Sequence, residues 1–181
     1  LALTEGEEEL MHALTASFRH NGRLQQHMRF FISNGALFSK RNGQLLYHGC
    51  VPMTEEGEFA TVTMGGRELS GASLFEYIDA KVRDAWYLKY NSEEQVEARD
   101  FLWYLWCGPI SPIFGKNRMA TFERTLIEDK STHTEVMNPY YRLVEEEVTC
   151  KKILSAFSMD PDAGHIVNGH VPVKLKRGES P

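Results

Sequence analysis

The first part of the chain has the pattern of two short amphipathic helices. Their apolar stripes are Leu10, Leu14 and Phe18, then Leu24, Met28 and Phe31. Thr4 and Glu7 have the spacing of an N-terminal capping box, while Asn21-Gly22 separates the stripes. We therefore predict an N-terminal helical segment over residues 1–35, with its histidines on the surface.

A hairpin pattern follows in residues 36–66. Two strand-like runs, 36–40 and 44–47, flank Asn42-Gly43. This pair favours a type I′ turn because both positions accept positive φ. The returning run leads directly to His48. A further strand candidate spans residues 58–64 and ends at Gly65-Gly66.

Residues 70–130 have the pattern of two helices and a loop. Ser73 with Glu76 has capping-box spacing, and Ser92 precedes an acidic first turn. The helices carry many aromatic residues: Trp86, Tyr87, Tyr90, Trp103, Tyr104 and Trp106. Core packing explains them most simply, and a ligand-stacking cluster is the alternative. A Gly- and Pro-rich loop, 107–116, leads to a short amphipathic segment, 122–127.

The last part, 138–181, has a helix pattern followed by a strand pattern. Asn138 has the features of an N-cap, with Pro139 in the first helical position. We expect this helix to run to about Phe157. Its predicted inward residues are Leu143, Val144, Val148, Ile153 and Leu154. A buried strand over residues 165–168 then leads to His170.

These elements predict an α/β (α+β) fold in a single partial domain over residues 1–181. The chain opens into a helix without Met and ends on a strand-then-turn pattern, so we interpret it as a fragment. A net charge of -5 and a pI near 5.8 argue against general nucleic-acid binding. No apolar run approaches the ~20 residues of a membrane span. Three cysteines without a C-x-x-C pair suggest reduced thiols in the cytoplasm.

The candidate chemistry lies where two apolar runs end. Residues 46–52 and 166–172 each lead into a His next to a Gly, with a Pro soon after. A neutral imidazole at a strand end is well placed to bind a metal, so His48 and His170 are candidate ligands of one site. Two unrelated turn histidines are the alternative. No convincing nucleophile–base pair is present, since nothing near Cys50 would lower the pKa of its thiol. The pattern favours metal-assisted chemistry on an anion.

These residues resemble a known family. His48-Gly49-Cys50-Val51-Pro52 is similar to the His-Gly-x-x-Pro element of calcineurin-like metallophosphatases, and Asn168-Gly169-His170 to their later Gly-His element. More narrowly, the chain resembles the class III fructose-1,6-bisphosphatases. The phrases that carry this likeness are residues 45–50, Trp106-Cys107-Gly108, Phe114-Gly115-Lys116, Thr121-Phe122-Glu123-Arg124, Asn138-Pro139-Tyr140-Tyr141 and residues 168–174.

The resemblance implies part of a two-sheet, helix-flanked metallophosphatase sandwich with a helix-rich insertion. It implies a cytoplasmic phosphoric monoester hydrolase of gluconeogenesis. Metal-activated water would remove the 1-phosphate of fructose 1,6-bisphosphate at a two-metal site, with Mn²⁺ as the expected metal. His48 and His170 would be metal ligands.

The resemblance also implies phosphate contacts. Lys116 and Arg118 fall where the family's phosphate-contacting loop is expected, with a solvated turn as the alternative. Arg124 is a further candidate, with an i,i+4 pair to Glu128 as its alternative. Lys174 would face either the sugar phosphate or solvent.

The sequence departs from the family pattern in one respect. The motifs Asp-x-His, Gly-Asp-x-x-Asp and Gly-Asn-His-Asp/Glu are absent, and in family order they precede His48. We therefore expect the catalytic residues upstream of Leu1, no activity from this piece alone, and self-association through surfaces that a fragment exposes. Two other functions stay open. One is a related metallophosphatase acting on phosphoproteins or nucleotides, and the other is a noncatalytic interaction module that uses the aromatic helices of residues 74–106.

Overall fold

The computed structural model describes residues 2–171, which form two compact units divided after Ala36. The first unit contains α1 (Glu5–His20) and α2 (Gly22–Asn34). Thr4 and Glu7 form the predicted capping box, and the Asn21 side chain accepts a hydrogen bond from the Leu24 amide at 2.9 Å. The predicted helices are confirmed, but their stripe residues are exposed except for Leu24, which is half-buried, and α1 has no buried residue.

The second unit begins with the predicted hairpin. Strands β1 (Phe38–Arg41) and β2 (Gln44–Tyr47) pair antiparallel, and Asn42 and Gly43 adopt φ of 50° and 75°. Strand β5 (His165–Asn168) pairs parallel with β2 on the other side, so that Tyr47 lies opposite Asn168. The parallel register therefore brings the carboxyl ends of β2 and β5 to the same edge of the sheet.

A second, two-stranded sheet consists of β3 (Val62–Met64) and β4 (Arg67–Leu69). Gly65 and Gly66 both have positive φ and make the turn between these strands. The predicted strand over residues 58–64 is therefore shorter than expected. Strand β4 was not predicted because Arg67-Glu68-Leu69 contains a single apolar residue and shows no alternation.

Helices α3 (Gly71–Tyr87) and α4 (Glu93–Cys107) pack against each other. Ser92 caps α4 as predicted, but the predicted cap at Ser73 is wrong. Helix α3 begins three residues earlier than predicted, with Ser70 as its N-cap, and Ser73 Oγ accepts a hydrogen bond from the Ser70 amide at 3.1 Å from within the first turn. The prediction is wrong because two serines have suitable spacing. Ser70 has a capping partner three residues later in Ser73, and Ser73 has one in Glu76, so spacing alone does not identify the cap.

The prediction that the aromatic residues of α3 and α4 pack in the core is wrong for most of them. The exposed fractions are 64% for Trp103, 51% for Trp106, 56% for Tyr87 and 60% for Tyr90. Helix α4 instead turns Gln95, Ala98 and Leu105 inward. The two tryptophan rings contact each other at 5.0 Å between centroids. An exposed aromatic face therefore lies on α4, and self-association through it stays a prediction.

The helix predicted from Pro139 to Phe157 is two helices. Beyond α5 (Thr121–Leu126) and a 3₁₀ turn (Lys130–His133), the chain forms α6 (Tyr140–Leu143) and α7 (Glu147–Ala156). Three successive glutamates, residues 145–147, occupy the break and the start of α7. Glutamates are favoured in a first helical turn, where the macrodipole is positive, more than in a helix interior. Val148, predicted to face inward, is 69% exposed, whereas Ile153 and Leu154 are buried.

The main core lies directly behind the end of β2. It is made of buried residues from β2, the segment after it, α3, α6, and α7 with the residue that follows it: Leu45, Tyr47, Cys50, Val51, Met53, Phe75, Tyr140, Leu143, Ile153, Leu154 and Phe157. The hydroxyls of Tyr47 and Tyr140 share a buried hydrogen bond of 2.6 Å. The Phe157 ring packs edge-on against Phe38 and Phe75. No helix within residues 2–171 has the length and hydropathy to cross a membrane.

We predict that Phe157→Ala lowers the free energy of unfolding by about 3–5 kcal/mol, because it opens a cavity among packed aromatic rings. Phe157 directly follows α7, so Val148→Ala within α7 is the matched control and should cost less than about 0.5 kcal/mol, since that side chain is exposed. Urea denaturation followed by circular dichroism measures both. Equal losses for the two variants would contradict the orientation of α7 in the core.

Candidate functional site

The two histidines predicted from the sequence meet at one edge of the three-stranded sheet. His48 follows β2, and His170 lies two residues after β5. Their Nε2 and Nδ1 atoms are 3.1 Å apart, although the residues are 122 positions apart in the chain. The rings are nearly perpendicular, with centroids 5.1 Å apart. The parallel pairing of β2 with β5 thus brings two histidines that are far apart in the sequence into contact.

Two hydrogen bonds beyond the strand ladder hold the two histidine segments together. The Gly169 amide donates to the His48 carbonyl at 2.9 Å, and Asn168 Nδ2 donates to the Gly49 carbonyl at 3.0 Å. His170 has a φ of 65°, a left-handed conformation that is uncommon for a residue with a side chain. These bonds and this conformation direct the His170 ring back towards His48.

The Gly- and Pro-rich loop reaches the same place. The Cys50 amide donates to the Pro112 carbonyl at 2.9 Å. A Cβ on Gly49 would collide with the carbonyl oxygens of Pro112 and Ile113. Gly49 is therefore required for this close approach of two backbones, which brings the loop that carries Lys116 up to the histidines.

Asn138 joins this loop to the segment after β2. Its Oδ1 accepts hydrogen bonds from the amides of Met53 and Tyr140, each at 3.0 Å, and its own amide donates to the Gly115 carbonyl at 2.9 Å. The sequence pattern indicated only the helix-capping contact. The contact with Met53 depends on tertiary structure and has no local signal.

The predicted phosphate-binding residues separate into two groups. Lys116 and Arg124 converge on Glu135, with Nζ and NH2 at 2.8 and 3.3 Å from its Oε2. The alternative pairing of Arg124 with Glu128 is therefore wrong. Arg118 is exposed and makes no ion pair within residues 2–171, and Lys174 lies outside the described residues.

Sequence reasoning missed Glu135. Only 11% of its side chain is exposed, and its second oxygen, Oε1, accepts from the Ala120 amide at 2.9 Å. Hydrogen bonds with Lys116 and Ala120 lower the pKa of Glu135 to about 2. Nothing in the sequence distinguishes Glu135 from the many other glutamates. Only its contacts with Lys116 and Ala120 distinguish Glu135, and these become visible only when the two loops are placed side by side in the structure.

The electrostatics of the site keep one imidazole neutral. Desolvation lowers the pKa of His170, and the neighbouring His48 and Lys116 act in the same direction, while a hydrogen bond with the Phe114 backbone opposes them. Burial raises the pKa of the Cys50 thiol to about 12. The prediction that Cys50 is not a nucleophile is therefore supported, since a protonated thiol is unreactive.

The histidine pair suits two ligands of a single metal ion. Nitrogen ligands about 2.1 Å from one ion, at angles of 90–110°, lie about 3.0–3.4 Å apart. A direct hydrogen bond between the rings explains the same distance without a metal. Within residues 2–171 no group of three or more His, Cys, Asp or Glu side chains has metal-binding geometry. His48 and His170 are therefore at most part of a ligand set.

A cavity of about 560 Å³ lies elsewhere, between the β3–β4 hairpin and α3. Arg67 and Lys81 lie over the ring of Tyr77 along its wall. None of its lining residues is a candidate site residue. His48 and His170 instead lie at the exposed edge of the three-stranded sheet.

We predict that Glu135→Gln lowers the free energy of unfolding by about 1–3 kcal/mol at pH 7. The ion pair with Arg124 contributes little to this value because that side chain is half exposed and its charge is screened by water. A carboxyl whose pKa falls from 4.5 to about 2 on folding contributes stability that is complete above pH 4.5. That contribution is lost as the pH falls towards 2. The difference between wild type and variant in urea denaturation should therefore shrink over this range. Glu147→Gln, in the exposed pair with Lys151, is the control, and a pH-independent difference for Glu135→Gln would contradict the assignment.

The chain is similar to several curated proteins. Those of Clostridium botulinum (strain Kyoto / Type A2), Clostridium novyi (strain NT) and Listeria innocua serovar 6a are 46%, 48% and 48% identical to it. Each is named fructose-1,6-bisphosphatase class 3, and each match covers 99% of this chain and 27% of the relative. The chain thus spans about a quarter of the length of these relatives. No solved structure matches it.

A family model described as Firmicute fructose-1,6-bisphosphatase matches residues 1–181. The match includes both histidine segments and the loop between them. It agrees with the resemblance that those segments carry in the sequence. Because the match spans the whole chain, the protein belongs to the Firmicute fructose-1,6-bisphosphatase family.

Proposed function

We propose that this chain forms part of the active site of a class III fructose-1,6-bisphosphatase, a metal-dependent phosphatase of gluconeogenesis in the cytoplasm. One observation carries the proposal: His48 and His170 meet at 3.1 Å, beside the Lys116 loop, in a member of this family. The substrate would be fructose 1,6-bisphosphate, as the names of the relatives suggest.

In this proposal the two imidazoles hold one divalent ion, which we expect to be Mn²⁺. When bound, such an ion polarises a phosphoryl oxygen and lowers the pKa of coordinated water. The chain's own contribution is to present two ring nitrogens side by side just beyond two paired strands, and the lowered pKa of His170 favours the neutral form of its ring. Neutrality matters because a protonated imidazole has no free lone pair for a metal.

The cationic side chains would bind the phosphate group. The Lys116 ammonium is near enough to His170 to lower the pKa of that imidazole. Arg124 extends this cationic region, and Arg118 adds an exposed guanidinium. Guanidinium groups suit phosphate because they donate two parallel hydrogen bonds. We expect the remaining metal ligands and the acid that protonates the leaving group from residues that this sequence does not contain.

We expect the 181-residue chain to bind Mn²⁺ weakly and to release no phosphate from fructose 1,6-bisphosphate. The affinity for Mn²⁺ can be measured from the loss of the free-ion EPR signal on binding. It should fall at least tenfold in His48→Ala and in His170→Ala, because each substitution removes one of two ligands. His133→Ala is the control, since that ring bonds the Ile127 carbonyl instead.

Either of two outcomes would contradict this prediction. One is unchanged Mn²⁺ affinity in both histidine variants, which would leave the rings as turn residues that only bond each other. The other is manganese-dependent release of phosphate by this chain, which would mean that it holds a complete site.

A second candidate function, an interaction or oligomerisation module, is favoured by the exposed aromatic face of α4. We propose that this face drives self-association at high concentration, because large apolar patches on a monomer are costly to expose. Sedimentation velocity should show concentration-dependent association that Trp103→Ala weakens. Val148→Ala, which removes exposed apolar surface from α7, should leave it unchanged. A chain that stays monomeric at high concentration would argue against this role.

A further inference from the structure

Glu135 is a nearly buried carboxylate that the proposed chemistry does not use. Its Oε2 accepts from Lys116 Nζ at 2.8 Å and lies 3.3 Å from Arg124 NH2, while its Oε1 accepts from the Ala120 amide at 2.9 Å. All three partners lie in residues 116–124, a segment that begins at the end of the Gly- and Pro-rich loop. One acidic side chain therefore organises this whole segment.

The backbone fixes the position of Glu135. Lys116 pairs with Met137 in an antiparallel bridge, and the Asn117 amide donates to the Val136 carbonyl at 3.0 Å. Asn117 Oδ1 in turn accepts from the Val136 amide at 2.8 Å. The chain around residue 136 thus runs directly alongside Lys116 and holds the carboxylate against its ammonium.

Arg124 is held by two acceptors at once. Its Nε and NH2 donate to the His133 carbonyl at 3.3 and 3.1 Å, and its NH2 also contacts Glu135. Since Lys116 and Arg124 share the same carboxylate oxygen, their charged nitrogens lie within about 6 Å of each other. Two cations repel at this distance unless an anion lies between them.

Both cations keep part of their surface available. The side chains of Lys116 and Arg124 are 29% and 50% exposed, whereas Glu135 is 11% exposed. The ammonium also lies 5.9 Å from the centre of the Phe114 ring, which restricts its movement. The arrangement is therefore a mostly covered anion that contacts two more exposed cations.

We propose that Glu135 is a positioning residue that holds Lys116 and Arg124 together, so that one phosphate group binds both beside the histidine pair. This inference rests on the proposed function, because it takes the ligand to be a phosphate group. Glu135 itself does not contact the phosphate, since two anions repel. Its role is to hold two flexible side chains in one geometry before the ligand arrives.

Two effects of removing the Glu135 charge have opposite signs. By charge alone, Glu135→Gln makes the region more positive and should tighten the binding of an anion. If Glu135 positions the cations, the same change releases two side chains and should weaken binding. The direction of the change in phosphate affinity therefore shows whether Glu135 positions the two cations or only offsets their positive charge.

The experiment measures binding of inorganic phosphate to the metal-free 181-residue chain by isothermal titration calorimetry at low ionic strength. We expect Glu135→Gln to bind phosphate three- to tenfold more weakly than the wild type. Unchanged or tighter binding by the variant would overturn the proposal. So would the absence of phosphate binding by the wild type at tens of millimolar.

A double-mutant cycle with Lys116→Gln tests the coupling. Glu135→Gln should have little further effect in the Lys116→Gln background, whereas additive losses would overturn the proposal. Glu147→Gln, which removes a glutamate from an exposed ion pair, is the matched control and should bind phosphate as the wild type does. If circular dichroism shows that Glu135→Gln does not fold, Glu135→Asp takes its place. Its side chain keeps the negative charge but is too short to contact both cations, so it should also weaken phosphate binding.

The outcome is separable from the test of the proposed function. Mn²⁺ affinity depends on the histidines and should not change in Glu135→Gln. Loss of Mn²⁺ binding in His48→Ala together with unchanged phosphate affinity in Glu135→Gln would overturn the positioning role alone. Weakened phosphate binding in Glu135→Gln with no effect of the histidine variants on Mn²⁺ would overturn the metal site and leave the positioning role in place.

Discussion

The parallel pairing of β2 with β5 is the constraint on which the candidate site depends. The register that sets Tyr47 opposite Asn168 also sets the residues beyond them, so His48 and His170 leave the sheet at the same edge. The core behind β2 supports this register, because Leu45 and Tyr47 face inward and cannot change faces without exposing apolar surface. A shift by one residue would separate the two rings and lose the bonds of Gly169 and Asn168.

Contacts from a third segment complete the arrangement. The loop that follows α4 crosses Gly49 at a distance that excludes a side chain, and Asn138 then joins Gly115 to Met53. Each of these contacts is modest in energy. Together they place a lysine near two histidines that lie in different parts of the sequence. Imidazole and ammonium groups are chemically suited to a metal and to a phosphate respectively, which is the basis of the proposed function.

Sequence patterns predicted the elements with strong local signals. The Asn42-Gly43 turn, the caps at Thr4 and Ser92, and the two His-Gly segments were all recognised because neighbouring residues determine them. The failures have a common cause. The outward orientation of Trp103, the break before α7 and the role of Glu135 depend on which other segments pack nearby. Hydrophobicity alone does not show whether an aromatic helix face is covered, and acidity alone does not show which cations lie next to a glutamate.

The same parallel pairing has a consequence for synthesis of the chain on the ribosome. Residues 48 and 170 are separated by 122 positions, so β2 has no parallel partner until that whole stretch has been made. At about 5–20 residues per second, translation leaves this strand edge open for about 6–24 seconds. Long-range pairing of this kind also carries a large loop-closure entropy and forms late in folding. The chemical groups of the site therefore assemble only after most of the surrounding structure exists.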